Sequence, residues 1–336
     1  MQNVYCMNET ERRKLRFLYQ QSGIKQRYSV VPDYSRPVHD WKFYPQSENL
    51  EPFPNLEQRM ALFNRQAPLL SVDAIRDCLD GVAHDHEITH LITVSCTGMS
   101  APGLDLQVVE LMDLSKNIVR TSVNFMGCYA AIHALKLADA FCKADPKAKV
   151  LLVCTELCTL HFQRDKTLDS ITSSLLFGDG SAAALVTADA HAKPGLHLEH
   201  FYAEIVPKGK RDMAWELSST GFLMTLCGYV PDLIEEDFAA IVNRCLQKNN
   251  RAVRDITGWC IHPGGKRILE AIQKSLDLDA AALLPSYHIL QQYGNMSSAT
   301  ILFVLKKMMQ ERTSPTIFGA AFGPGLTVET FTAIMN

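Results

Sequence analysis

Asn117-Ile118-Val119-Arg120-Thr121-Ser122-Val123 runs without interruption into Asn124-Phe125-Met126-Gly127-Cys128 and then Tyr129-Ala130-Ala131. The first run is rich in β-branched residues and reads as a strand, the Ala-rich stretch from Tyr129 to about Phe141 reads as a helix, and a Gly-Cys corner joins them. Strand, tight corner and helix in that order form the unit of an α/β fold. The corner also sets Cys128 at a helix start, where unpaired backbone N–H groups and the positive end of the helix dipole favour an anion. A thiolate is reachable there near neutral pH, which predicts a nucleophile. The competing reading, a small buried hydrophobe, describes most free cysteines and stays open on this stretch alone.

The same pattern extends outward. On the N-terminal side, residues 10–21 read as an amphipathic helix with a basic flank that stops near Ser22-Gly23, and residues 32–54 as a long aperiodic excursion over the surface. A helix over 57–80, broken near Pro68, precedes the strand His90-Leu91-Ile92-Thr93-Val94-Ser95 and a helix over 103–114. On the C-terminal side come a buried strand over 149–155, the turn Phe177-Gly178-Asp179-Gly180 and a short strand over 181–187. Around Lys193-Pro194-Gly195 the pattern starts again. A strand over 196–206 and a helix over 231–249 lead to the strand Thr257-Gly258-Trp259-Cys260-Ile261. Helices over 266–276, 285–293 and 296–310 follow, and strands over 316–322 and 326–333 close the chain. Two similar halves, residues 1–190 and 191–336, argue for a duplicated α/β architecture. The second half opens with a strand and the first with a helix, so the first half lacks one expected strand.

With 336 residues, 47% of them hydrophobic, 21% charged, and a net charge of -3, the chain has the composition of a globular protein with an extensive core. Neither a basic excess for nucleic acid nor an acidic tail is present. Ten cysteines without a disulfide-framework spacing, and a start without an apolar leader segment, predict free thiols in a reducing cytoplasm. No apolar run is long enough to cross a bilayer, so no membrane insertion is expected.

Two further polar residues stand at glycine-marked corners. His262 lies between a strand and Pro263-Gly264-Gly265, and Asn295 lies in Tyr293-Gly294-Asn295-Met296-Ser297-Ser298 at a helix start. A lone histidine is more often structural. Strand ends and βα loops are nevertheless where α/β proteins place their chemistry.

Taken together, Asn124-Phe125-Met126-Gly127-Cys128, Trp259-Cys260-Ile261-His262-Pro263-Gly264-Gly265, Tyr293-Gly294-Asn295-Met296-Ser297-Ser298 and Phe322-Gly323-Pro324-Gly325-Leu326-Thr327-Val328-Glu329-Thr330 resemble, in order, the signatures of type III polyketide synthases, the chalcone and stilbene synthase family. The resemblance implies the thiolase fold, five layers α-β-α-β-α, and a homodimer. It also implies that Met1 stands roughly a tenth of a family-length chain in from the usual start, with the open sheet edge that a lost strand would leave.

Carried onto these positions, the family mechanism makes Cys128 the acceptor of an acyl group from a coenzyme A thioester. His262 would pair with it as imidazolium and thiolate, and His262 with the Asn295 amide would hold the enolate left when malonyl-CoA loses carbon dioxide. No metal, flavin or nicotinamide is implied. Phe177 occupies one gatekeeper position, whose bland reading is a core aromatic, and Met224 occupies the other in place of a ring. Cys96, Cys158 and His161 stand where plant members carry threonines, and Ser297, Pro324, Gly264 and Gly265 fall on the substrate side of their motifs. Trp215 replaces a cavity-lining glycine of plant chalcone synthases. Met213-Ala214-Trp215 is similar to a motif of bacterial alkylpyrone and alkylresorcinol synthases, which implies an aliphatic acyl starter. Lys14 aligns with a coenzyme A-binding lysine, with Arg13 and Arg16 as substitutes for two basic positions that fall on Phe17 and Gln21; a solvated helix face is the equal alternative.

Cys154, Cys158 and His161, spaced C-x3-C-x2-H, are not expected to hold a metal, since no fourth ligand stands in a matching cluster and Cys154 lies in a buried-strand pattern. Three alternatives remain: a β-ketoacyl synthase III, which condenses once; a cysteine hydrolase, in which the asparagine orients the histidine; and a noncatalytic truncated subunit.

Overall fold

Apolar runs and glycine corners resolve, in this computed structural model, into two four-stranded sheets and a separate two-stranded hairpin. The structure describes residues 2–6, 8–47, 49–189, 195–209, 212–226, 228–312 and 314–335. The expected restart at Lys193-Pro194 and the expected boundary at residue 190 lie outside the described residues.

The first sheet holds β1 (His90–Ser95), β2 (Val119–Asn124), β3 (Lys149–Leu157) and β4 (Asp179–Thr187). Its spatial order is β2-β1-β3-β4, parallel except for β4. The second half supplies β5 (Leu196–Ile205), the hairpin of β6 (Met213–Ser218) and β7 (Gly221–Leu226), then β8 (Gly258–Ile261), β9 (Thr316–Gly323) and β10 (Thr327–Met335). The second sheet is ordered β5-β10-β9-β8, with β8 parallel to β9 and β10 antiparallel to both neighbours. From Val150 onward β3 is buried at every residue, as a strand covered on both faces must be.

Between the sheets lie the helices Ala130–Ala144 and Ala299–Glu311. Their buried Ala130, Ala134, Ala138 and Ala299 pack against Ile92 and Leu152 of the first sheet and Ile317 and Phe331 of the second in one shared core. Small alanines let both sheets approach this middle layer closely. Helices Leu56–Leu79 and Leu104–Met112 cover the outer face of the first sheet, over Leu91, Leu151 and Val153. Helices Val230–Lys248 and Lys266–Ser275 cover the second, over Trp259, Ile261 and Phe318. The result is the five-layer α-β-α-β-α thiolase fold.

β1, β3 and β4 correspond in pairing to β8, β9 and β10. β5, which flanks β10, has no counterpart beside β4 among the described residues. β4 is therefore an edge, as the order of elements in the first half led one to expect.

Four local differences from the sequence reading have physical causes. Helix Leu56–Leu79 passes through Pro68 unbroken; the proline is buried beside Ala67, Ser71 and Val72, and packing on either side outweighs the one backbone bond it removes. The final long helix begins at Ala299, because residues 295–298 fold back into the site. A helix over Leu168–Leu176 and the β6–β7 hairpin were not expected. Finally, Cys128 sits in a 3-10 turn, Gly127–Tyr129, and the α-helix starts only at Ala130.

Candidate active site

The Cys128 corner is shaped by two left-handed residues, Phe125 with φ 57° and Gly127 with φ 78°. For Phe125 this conformation costs about 1 kcal/mol. Gly127 has a second reason to lack a side chain, since a β-carbon there would overlap the ring of Pro324. The loop after β9 thus presses on the turn that carries the thiol and joins the two halves at that point. The Gly127 N–H donates to Cys96 Sγ at 3.0 Å, which fixes Cys96 beneath the turn.

Cys128, His262 and Asn295 all line one cavity of about 1000 Å³. Cys128 Sγ lies 3.7 Å from Ser297 Oγ and 4.0 Å from Asn295 Oδ1. The same Oδ1 accepts the Ser297 N–H at 2.8 Å, and Asn295 Nδ2 donates to the Gly264 carbonyl at 3.2 Å. These bonds orient the amide and leave its second N–H for the cavity. Ser297, at φ 50°, turns its hydroxyl toward the sulfur. His262 is 1% exposed, and neither of its ring nitrogens has a hydrogen-bond partner.

Burial acts on the two titratable members in opposite directions. Desolvation pushes the Cys128 thiol up to about 12, with Ser297 opposing it, and pulls the His262 imidazole down to about 3. Desolvation at Cys128 favours the neutral thiol, and no hydrogen bond joins His262 to Cys128 among the described residues. Each group alone is neutral. A proton passed from Sγ to His262 would create two charges that compensate each other in a dry site.

Glu156 escaped notice in the sequence. It is fully buried at the end of β3 and accepts from the Cys96 N–H at 2.9 Å, the Thr97 hydroxyl at 2.9 Å and the Ser298 hydroxyl. Burial raises its pKa, and these donors oppose the shift. The signal was a lone carboxylate closing an otherwise apolar strand run, which is expensive unless partnered.

Phe177 lines the cavity and is tied to Asn295 by a backbone bridge. Met224 faces Trp215 across the hairpin, and both line the cavity. Trp215 Nε1–H donates to the Cys96 carbonyl at 2.6 Å, and its ring stands edge-on to His161 and Phe222. Cys96, Cys158, His161, Ser297, Pro324, Gly264 and Gly265 also lie on the wall. His161 has both nitrogens engaged, Nε2 on the Thr97 carbonyl at 2.7 Å and Nδ1 accepting the Phe222 N–H at 3.1 Å. It is therefore a neutral strut, held down at about 3 by burial. No group of three or more His, Cys, Asp or Glu that could hold a metal occurs among the described residues.

Lys14 is not on the cavity wall. It is exposed on helix Glu9–Gln21, beside the inward-facing Leu15, and Arg16 is paired with Glu9 at 2.9 Å. The wall instead carries Lys25, Arg27, Lys266 and Arg267.

Residues 1–190 match the family profile described as chalcone and stilbene synthases, N-terminal domain, and residues 197–335 match the C-terminal domain of the same family. The chain belongs to the chalcone and stilbene synthase family. Among relatives, it is 31% identical over 325 residues to probable polyketide synthase 1 of Dictyostelium discoideum, covering 94% of this chain but only 10% of that much longer protein. It is 34% identical over 283 residues to the alpha-pyrone synthesis polyketide synthase-like Pks18 of Mycobacterium tuberculosis, covering 82% of this chain and 72% of that one. The solved 1,3,6,8-tetrahydroxynaphthalene synthase of Streptomyces coelicolor A3(2), a bacterial type III polyketide synthase, superposes with a TM-score of 0.87 at 28% identity, over 100% of this chain and 92% of that one. Like the rest of the family, this chain is a condensing acyltransferase of the polyketide synthase type.

Proposed function

We propose that this polyketide synthase loads an aliphatic acyl group from coenzyme A onto Cys128 and extends it with malonyl-CoA, releasing a pyrone or phenolic product. The observation that carries the reading is the placement of a thiol, an unpartnered imidazole and an oriented amide on one enclosed wall. Cys128 Sγ attacks the thioester carbonyl, and coenzyme A leaves with a proton from His262. Malonyl-CoA then enters. Its C–C bond to the carboxylate breaks, carbon dioxide leaves, and the electron pair stays as an enolate whose oxygen is met by His262 and the free Asn295 N–H. The enolate carbon attacks the Cys128 thioester, so a C–C bond forms as the C–S bond breaks. Decarboxylation supplies the carbanion, so the step needs no redox cofactor.

A cysteine hydrolase would have the asparagine bonded to the histidine. Here Asn295 bonds Gly264 instead. Trp215, edge-on to the stacked pair of His161 and Phe222 and lining the cavity, takes up room that a bulky aromatic starter would need and supports a linear one. The Mycobacterium relative, named for alpha-pyrone synthesis, supports a pyrone as product. A homodimer is supported by β2, an edge strand with an exposed face that includes Val119, which suits pairing with a second copy. No helix among the described residues is long and apolar enough to cross a membrane. The cytoplasmic location we propose rests on the use of coenzyme A thioesters.

The test is product analysis. Purified protein is given hexanoyl- to palmitoyl-CoA with labelled malonyl-CoA. Labelled pyrone or phenolic products at some chain length support the reading, and no incorporation at any length refutes it. Products of a single condensation would favour the β-ketoacyl synthase alternative.

A further inference from the structure

The start of helix Lys266–Ser275 lies on the cavity wall; this ten-residue helix has no acidic residue in its first turn and no side-chain cap. Gly264 and Gly265 precede it and line the cavity, so the backbone there is bare toward the opening. Lys266 and Arg267 are its first two residues. Ser22, Ile24 and Lys25 of the adjoining loop also line the cavity, and the two segments touch: a β-carbon on Gly23 would lie 3.5 Å from Lys266 Cδ. The backbone of Lys25 is anchored by its N–H on the Gln291 carbonyl at 2.9 Å. Three cations thus share one rim. Their carboxylate partners are distant: Lys266 lies 3.5 Å from Glu270 and Arg267 lies 3.7 Å from Asp232, both pairs well exposed. Arg267 also donates to the Gly228 carbonyl at 2.9 Å, a bond from one arm of the fork that leaves its other N–H groups for an anion. Arg27, the fourth cation on the wall, is committed to the Ser174 and Phe177 carbonyls. Deeper in the same cavity, His262 has two buried nitrogens without partners.

We infer that Lys266, Arg267 and Lys25, with the free N–H groups at the start of helix Lys266–Ser275, form the phosphate-binding rim for the coenzyme A part of both substrates. A helix N-terminus aims several donors at an anion. Lysine and the arginine fork add charge-assisted bonds to phosphate oxygens. The thioester arm then enters over Gly264-Gly265 toward His262 and Cys128. Helix Glu9–Gln21, where the family resemblance set the basic rim, contributes Leu18 and Gln21 to the wall but not Lys14. On this reading the phosphates are met by Lys266, Arg267 and Lys25 rather than by Lys14. The inference rests on the proposed use of coenzyme A thioesters, and its test separates the two.

Coenzyme A affinity is measured by calorimetry for the wild type, for Lys266→Glu/Arg267→Glu, and for a charge-matched control, Lys143→Glu/Lys306→Glu. The same proteins are assayed with an acyl-CoA and with the phosphate-free N-acetylcysteamine thioester of the same acid. The rim variant is expected to lose at least about tenfold in coenzyme A affinity, to show a raised KM with little change in kcat, and to load the phosphate-free thioester as the wild type does. Salt should weaken wild-type binding more than that of the variant. Unchanged affinity in the rim variant, or an equal loss in the control, overturns the inference. So does the same loss from Lys14→Glu with none from the rim variant, which would assign the phosphates to the first long helix. A wild type that binds no coenzyme A overturns the substrate reading as well. A circular-dichroism melt of each variant shows that lost affinity is not lost fold.

Discussion

Pro324 occupies the space that a side chain on Gly127 would need, so the loop after β9 in the second half sets the position of the turn that presents Cys128 in the first. The two halves are coupled at the nucleophile itself, with Gly127 held at φ 78° in a conformation that glycine accepts freely. Gly127→Ala therefore meets two penalties, strain and overlap. We expect a loss of about 2–4 kcal/mol in urea unfolding and a thiol that loads poorly even in the folded fraction. A variant that unfolds and loads like the wild type would separate the corner from Pro324.

His262 supplies the only charge partner the buried thiol is proposed to have. Burial, only partly offset by Ser297 and Asn295, leaves Cys128 near 12, so without the imidazole its thiolate fraction grows tenfold per pH unit and is very small at neutrality. The rate of iodoacetamide alkylation should fall by about 100-fold or more at pH 7 in His262→Gln, and its pH profile should climb steadily to pH 9 and above. In the wild type the profile should level off at lower pH, once the pair has lost its first proton to solvent and holds thiolate and imidazolium together. Equal rates and parallel profiles would remove His262 from thiol activation.

Asn295 Nδ2 is oriented by Gly264 and Oδ1 by Ser297, and the second N–H is assigned to enolate oxygen. Asn295→Ala should depress malonyl-CoA decarboxylation by about 100-fold while acyl transfer to Cys128 stays within about threefold. Carbon dioxide release and intact-protein mass measure the two steps separately. An equal loss in both would make Asn295 a structural support for the thiol.

Trp215 fills the cavity beside Met224 and is held by the Cys96 carbonyl. Trp215→Gly should shift the ratio of kcat/KM for an aromatic phenylpropanoyl-CoA over a linear acyl-CoA upward by about tenfold. It should also lower stability by about 3 kcal/mol through the lost packing against His161 and Phe222. An unchanged ratio would mean that the starter does not reach the hairpin.

Much of this architecture is legible in the chain because strand ends coincide with glycine corners. Gly127, Gly264 and Gly294 each mark a place where the backbone turns beside a reactive side chain, and the buried strands around them are nearly continuous apolar runs. Leu168–Leu176 was illegible as a helix because serine and threonine, weak helix formers, fill its middle. The β6–β7 hairpin turns on Ser219-Thr220, which lacks the Asn-Gly or Asp-Gly signal. Glu156 reads as the end of a strand, since the donors that make it tolerable come from residues 59 or more positions away. His161 was legible as a wall residue but not as a strut, because its partners are backbone groups. Lys14 is exposed on its helix while Leu15 takes the inward position, a distinction that alignment along a helix does not carry.

Whether Cys128 carries the acyl chain is tested most directly by intact-protein mass spectrometry after brief exposure to a fatty acyl-CoA without malonyl-CoA. The account predicts a gain of one acyl group, labile to hydroxylamine as a thioester is, in the wild type and none in Cys128→Ala. An adduct that persists in Cys128→Ala, or a folded wild type that never acquires one across the starter series, would contradict it.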